Sequence, residues 1–288
     1  MFADQQHAWI AGSGPGGDGF VLASDDGGAS WQRVFPSHAP MPAVAVSFVS
    51  PTTGFGLGTL GDGRATLQTD DGGATWRTVG RLPADPAAPD VDPVLWFVDP
   101  THGWVVAQGG VLLATSDGGA SWSGVTGALP PAPGPQPDGV AFADPLHGCA
   151  GNLNVAVGTR DGGRTWQPAD ASHGVLACAA TLLDPRWAQL GSALFGPGHD
   201  LSLDAVLPDG VAVAQGFLDD GLLATVVSRD GGATWTAERW PAEPNALGIE
   251  ALVQVSFVSA SDGWELGLLG RLYRTTDGGA SWQEVGPG

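Results

Sequence analysis

The residues able to do chemistry fall into two groups, those that repeat and those that do not. Six aspartates, Asp26, Asp71, Asp117, Asp161, Asp230 and Asp277, each stand third in an octet of the form Ser/Thr-x-Asp-Gly-Gly-x-Ser/Thr-Trp, which closes on Trp31, Trp76, Trp122, Trp166, Trp235 and Trp282. Outside the octets, Asp18, Asp62, Asp90, Asp92, Asp219 and Asp220 stand in Gly- and Pro-rich stretches, where carboxylates either solvate a loop or gather around a cation or a basic partner. Trp187 beside Arg186 breaks the repeat and offers a ring and a guanidinium to a ligand. Trp96 is a second intruder, at a position where other units carry Ser47, Ala141 and Ser256, so it either packs against a neighbouring unit or lines the mouth of a channel. The candidate ligand-binding set is therefore Trp187, Arg186, Trp96, Asp62, Asp219 and Asp220.

No catalytic or cofactor pattern emerges. Two G-x-G-x-x-G strings, GSGPGG (12–17) and GLGTLG (56–61), sit between apolar runs with no helix to follow, which excludes a dinucleotide fingerprint. There is no G-x-S-x-G nucleophile elbow. His7, His102 and His147 occupy one shared repeat position and are spread too widely to hold one metal, and His38, His173 and His199 show no ligand spacing. The chain reads as a non-catalytic protein without cofactor or metal. A glycosidase built on two carboxylates stays open among so many Asp, with Glu250 and Glu265 the only Glu in or beside inner strands of a unit.

Bulk properties narrow the partners. A net charge of −19, with 30 acids against 11 Arg and no Lys, repels nucleic acid and anionic membranes and leaves a protein partner or a glycan. A hydrophobic content of 43% argues against disorder. Cys149 and Cys178 form one bridge or remain two thiols; the sequence leaves both open. No run of 18 apolar residues exists and no signal peptide pattern heads the chain, while residues 1–12 already read as the middle of a repeat. The expectation is a monomer acting outside the cytoplasm, secreted or periplasmic, with its leader or anchor outside this chain.

The octets recur at intervals of 45, 46, 44, 69 and 47 residues, a blade-sized period. Each unit holds four short apolar runs parted by Gly, Asp and Pro turns, as in VLWFVDPTHGWVVAQGGVLLATSDGGASWSGV (94–125). The octet bridges the third and fourth runs. Its Asp can accept backbone N–H groups, its glycines can take positive φ, and its Trp can anchor the next strand. The expectation is an all-β, six-bladed propeller of four-stranded antiparallel blades, with seven blades as the alternative. Approximate blades span 1–35, 36–80, 81–126, 127–170, 171–240 with an insertion near 170–200, and 241–288. The first blade should have a shortened inner strand, and the ring should close by packing of sheets. The loops opposite the octets, including 12–19, 35–43, 60–64, 81–92, 127–138 and 217–221, vary and form the natural binding face.

The octet resembles the Asp box of the BNR repeat family. The wider pattern, filled by Phe257, Gly263, Trp264, Gly267, Gly270, Leu272 and residues 275–282, and by Phe97, Gly103, Trp104 and residues 115–122, is most similar to the Ycf48-like photosystem II assembly factor group. That resemblance implies a β-propeller and a scaffold that assembles or escorts a larger protein complex. Asp-box propellers also include sialidases and glucanases, which leaves a glycan-binding protein or glycoside hydrolase as the alternative. Sialidase chemistry needs a Tyr nucleophile, and the one Tyr here, Tyr273, falls in a third strand as a core residue.

Overall fold

This computed structural model describes residues 3–13, 19–34, 43–60, 63–83, 94–107, 111–125, 139–151, 156–169, 178–179, 201–206, 211–217, 223–230, 234–239, 252–259, 261–267 and 271–285. Each repeat unit folds as an antiparallel sheet of strands consecutive in sequence. The first sheet holds β1 (Ala8–Ser13), β2 (Gly19–Ser24) and β3 (Gln32–Arg33). The second holds β4 (Ala43–Phe48), β5 (Gly54–Leu60), β6 (Gly63–Thr69) and β7 (Arg77–Arg81), and the third β8 (Val94–Phe97), β9 (Gly103–Ala107), β10 (Val111–Thr115) and β11 (Ser123–Gly124). The fourth holds β12 (Gly139–Phe142), β13 (Gly148–Gly151), β14 (Ala156–Thr159) and β15 (Gln167–Pro168). The fifth holds β16 (Leu201–Val206), β17 (Ala212–Phe217), β18 (Leu223–Ser228) and β19 (Thr236–Arg239), and the last β20 (Leu252–Phe257), β21 (Gly263–Gly267), β22 (Leu272–Thr275) and β23 (Gln283–Val285).

The result is an all-β propeller that has, among the described residues, five four-stranded blades, which corrects the expected six. Among the described residues the first unit has three strands. Its β1 carries Trp9 at the register position of Trp104 on β9 and Trp264 on β21, so it is a second strand. Ala3 N–H donates to His7 O at 3.0 Å as Val98 does to His102, so residues 3–7 form the turn that leads into a second strand. Of the expected insertion near 170–200, only Cys178 and Ala179 are described.

Aromatic rings join neighbouring sheets. Trp9 stacks on Phe48 and Phe55 on Phe97, each pair with centroids 3.7 Å apart, and Trp104 stacks on Phe142. Each such pair contributes about 0.5–1.5 kcal/mol beyond its buried area. The same Phe meets the octet Trp of its own blade edge-on, as Phe97 meets Trp122 at 6.1 Å. This explains the Phe-to-Gly spacing of the repeat. The Phe97 ring lies over Gly103, where a Cβ would stand 2.7 Å from a ring carbon, and Phe257 covers Gly263 in the same way.

The fourth sheet departs from this pattern. β13 carries Cys149 where other second strands carry Trp9, Phe55, Trp104 and Trp264. Cys149 is bonded to Cys178 with Cα atoms 5.9 Å apart, and both are buried against Ala143, Ala156 and Ala169. A covalent bridge thus stands in the place of an aromatic wedge. At the far end of the chain the last sheet meets the first, where Trp264 Nε1 donates to Gly27 O at 2.7 Å, as Trp9 does to Gly72 O at 2.8 Å.

Candidate functional site

Among the described residues the octets are built the same way. Thr115 ends β10; its hydroxyl donates to Asp117 Oδ1 at 2.8 Å and accepts the Gly119 N–H at 2.9 Å. Asp117 Oδ1 accepts the Ser121 N–H at 2.9 Å and Oδ2 its hydroxyl at 2.6 Å. Asp26, Asp71, Asp161, Asp230 and Asp277 each hold the corresponding N–H and hydroxyl of Ser30, Thr75, Thr165, Thr234 and Ser281. The turn needs left-handed backbone at Gly118 (φ 70) and Gly119 (φ 83), which glycine adopts without a steric cost.

The turn is then tied to its surroundings. Gly118 N–H donates to Thr101 O at 2.9 Å, in the turn between β8 and β9, and Gly27, Gly72, Gly162 and Gly278 repeat the contact with Gln6, Thr52, Leu146 and Ser261. These two kinds of turn therefore share one end of the propeller. Trp31 and Trp166 donate back to Gly28 O and Gly163 O at 3.0 Å, while Trp122 donates to the buried Thr66 hydroxyl of the preceding blade at 2.7 Å.

The electrostatics follow from the hydrogen bonds. The Ser121 hydroxyl and N–H and the Thr115 hydroxyl hold Asp117 below the ordinary carboxylate range, and the Thr165 hydroxyl and N–H bring Asp161 down to about 2. A carboxylate kept ionised at neutral pH, with its oxygens committed to its own turn, is a clamp rather than a general acid.

A second acidic motif was missed as such in the sequence. Burial pushes Asp99 up, but the Thr101 hydroxyl and N–H and the His102 N–H and ring outweigh it, bringing Asp99 to about 2. Asp99 Oδ2 lies 2.8 Å from His102 Nδ1, and Asp4–His7 and Asp144–His147 repeat the pair at 2.9 Å. The Asp-x-x-His spacing at 4–7, 99–102 and 144–147 was the available signal. It marks a turn, with the three histidines each just ahead of the second strand of a different sheet.

Of the candidate ligand-binding set, Trp96 is among the described residues. It is half-buried on β8 and packs on the cluster of Trp104, Val140 and Phe142 that joins the third and fourth sheets. Asp62, Arg186, Trp187, Asp219 and Asp220 lie outside the described residues, as do Asp18, Asp90, Asp92, Glu250, His38, His173 and His199. Tyr273 is partly buried and packs against the buried cluster of Val211, Val213, Val227, Phe257 and Trp282. Glu265, 1% exposed, stands on β21 at the position of Val105 and Ala150. Among the described residues no three His, Cys, Asp or Glu side chains gather as a metal site, and no helix is long and apolar enough to cross a membrane.

Residues 41–134 match the family model described as photosynthesis system II assembly factor YCF48. No curated protein matches the chain. Similar solved structures include YCF48 bound to a D1 peptide, 19% identical over 98% of this chain and 80% of that one, with a TM-score of 0.48. YCF48 from Cyanidioschyzon merolae is 18% identical over 99% of this chain and 83% of that one, with a TM-score of 0.49. The GH74 xyloglucanase from Xanthomonas campestris is 15% identical over 99% of this chain but 46% of its own length, with a TM-score of 0.49. The family match spans the second and third sheets, and the octet it shares with them recurs through all six units, so the chain is a BNR-repeat β-propeller similar to Ycf48.

Proposed function

We propose that this chain is a non-catalytic scaffold that binds a protein partner and serves the assembly or escort of a larger complex. The match of residues 41–134 to an assembly-factor family carries this reading. The octets support it by exclusion, because their carboxylates are committed to their own turns. Binding then falls to the opposite end, where second strands turn into third and fourth strands cross to the next sheet. Trp187, Arg186, Asp62, Asp219 and Asp220 are the contact residues proposed there; Trp96, paired with Trp104 next to the β8–β9 turn, lies toward the octet end and packs between sheets instead. A charge of −19 suits a partner with a basic or neutral surface. The Cys149–Cys178 bridge supports work outside the cytoplasm, secreted or periplasmic, where disulfides persist. The protein acts as a monomer.

The test is affinity capture from the native organism's extracytoplasmic fraction, with a glycan array run on the same preparation. The expected result is a protein partner lost on Trp187→Ala or on Asp219→Ala with Asp220→Ala, and retained on Asp117→Ala. Glycan binding with no such partner would overturn the scaffold and make carboxylates of that face the next targets.

A further inference from the structure

Three departures from the repeat meet at one junction. The turn before the second strand reads Asp-Pro-Thr-His at 99–102 and Asp-Pro-Leu-His at 144–147, but Asp-Gln-Gln-His at 4–7 and Ser-Ala-Ser-Asp at 259–262. Gln5 therefore stands where Pro100 and Pro145 stand, and Asp262 where His102 and His147 do. Arg274 on β22 takes the register position of Ala23, Ala114 and Gly158.

Gln5 Nε2 donates to Asp262 Oδ2 at 2.9 Å, and Arg274 Nη2 donates to Asp262 Oδ1 at 3.4 Å. The Ser259 and Ser261 hydroxyls, at 3.0 and 2.7 Å from Oδ2, fix the carboxylate, which is 7% exposed. The Arg274 guanidinium lies over the Trp264 ring, 5.1 Å from its centroid, and its Nη1 stands 2.6 Å from where a Cβ on Gly27 would be. Gln5 and Gly27 belong to the first unit; Asp262, Trp264 and Arg274 belong to the last.

Every other junction joins units consecutive in the chain, so a connecting segment holds its two sheets together. The last-to-first junction has no such tether, and the Trp-to-Gly contact it shares with the Trp9–Gly72 junction does not distinguish it. An open ring also exposes two complementary faces to a second copy, a contact that does not close. Polar contacts with a nearly buried charge are well suited to specify which surfaces meet. We propose that Gln5, Asp262 and Arg274 form a latch that holds the ring closed on its own first sheet. This goes beyond partner binding and does not depend on it.

Native-state hydrogen exchange on the whole chain, followed by mass spectrometry, tests the latch. Arg274→Ala and Gln5→Pro should speed exchange in residues 8–13 and 263–275 roughly tenfold, with residues 94–115 unchanged. Mixing two differently labelled batches of either variant should yield mixed species that the native chain does not form. Gln5→Pro restores the residue of other blades, so it keeps the test open if Arg274→Ala fails to fold. Arg77→Ala, which removes the exposed Asp70–Arg77 pair, is the control for lost positive charge. Equal acceleration in every sheet, no acceleration, or the same effect from Arg77→Ala overturns the latch.

Discussion

Replacing both cysteines, Cys149→Ala with Cys178→Ala, asks how much of the fourth sheet's outer contact the bridge carries. The two residues are 29 apart in sequence. Closing a loop of that size removes chain entropy worth about 3.6 kcal/mol at 25 °C from the unfolded state. With roughly 2.1 cal/mol/K of unfolding entropy per residue over the chain, that converts to a melting temperature lower by roughly 6 °C. Both residues are buried, at 0% and 4% exposed, so the missing sulfurs add a packing loss in the same direction. The assay is a thermal melt by circular dichroism with and without dithiothreitol. The native chain in reductant should melt below the oxidised chain and at or above the double variant, and the variant should ignore reductant. A native chain that melts at one temperature in both buffers, with its thiols shown free in the reduced sample, would refute the bridge as a stabilising clamp.

Three further outcomes are expected. Asp117→Ala should lower the melting temperature while leaving partner binding intact; lost binding with unchanged melting would overturn the turn-clamp account of the octet. Asp26, Asp71, Asp117, Asp161 and Asp277 titrate lower folded than unfolded, so their contribution is complete above about pH 4 and is lost as pH falls below it, for Asp161 towards about 2. Melting temperature across that interval should therefore fall, and a flat profile there contradicts the assignment. Trp122→Phe leaves the Thr66 hydroxyl buried without its donor, at a cost of about 1–3 kcal/mol by urea unfolding. Adding Thr66→Val should return part of that loss, and strict additivity of the two changes would show that the hydrogen bond contributes nothing.

What the sequence by itself determined is what short-range geometry controls. The octet closes through bonds between residues two and four apart, such as Thr115 to Asp117 and Asp117 to Ser121, around glycines free to take positive φ. Its form is therefore written locally and could be read locally, as could the strands between the turns. The candidate site was legible only as residue types: Trp187 beside Arg186 breaks the repeat and Asp62, Asp219 and Asp220 stand in variable stretches, but whether they come together depends on how loops of different blades lie together. Tertiary structure alone decided the rest. It set Cys149 against Cys178, which two lone cysteines leave open. It made Trp96 a packing residue between sheets. It also brought Gln5 to Asp262 across 257 positions. Each of these depends on where a ring of sheets places distant segments, and no pattern of neighbouring residues encodes that distance.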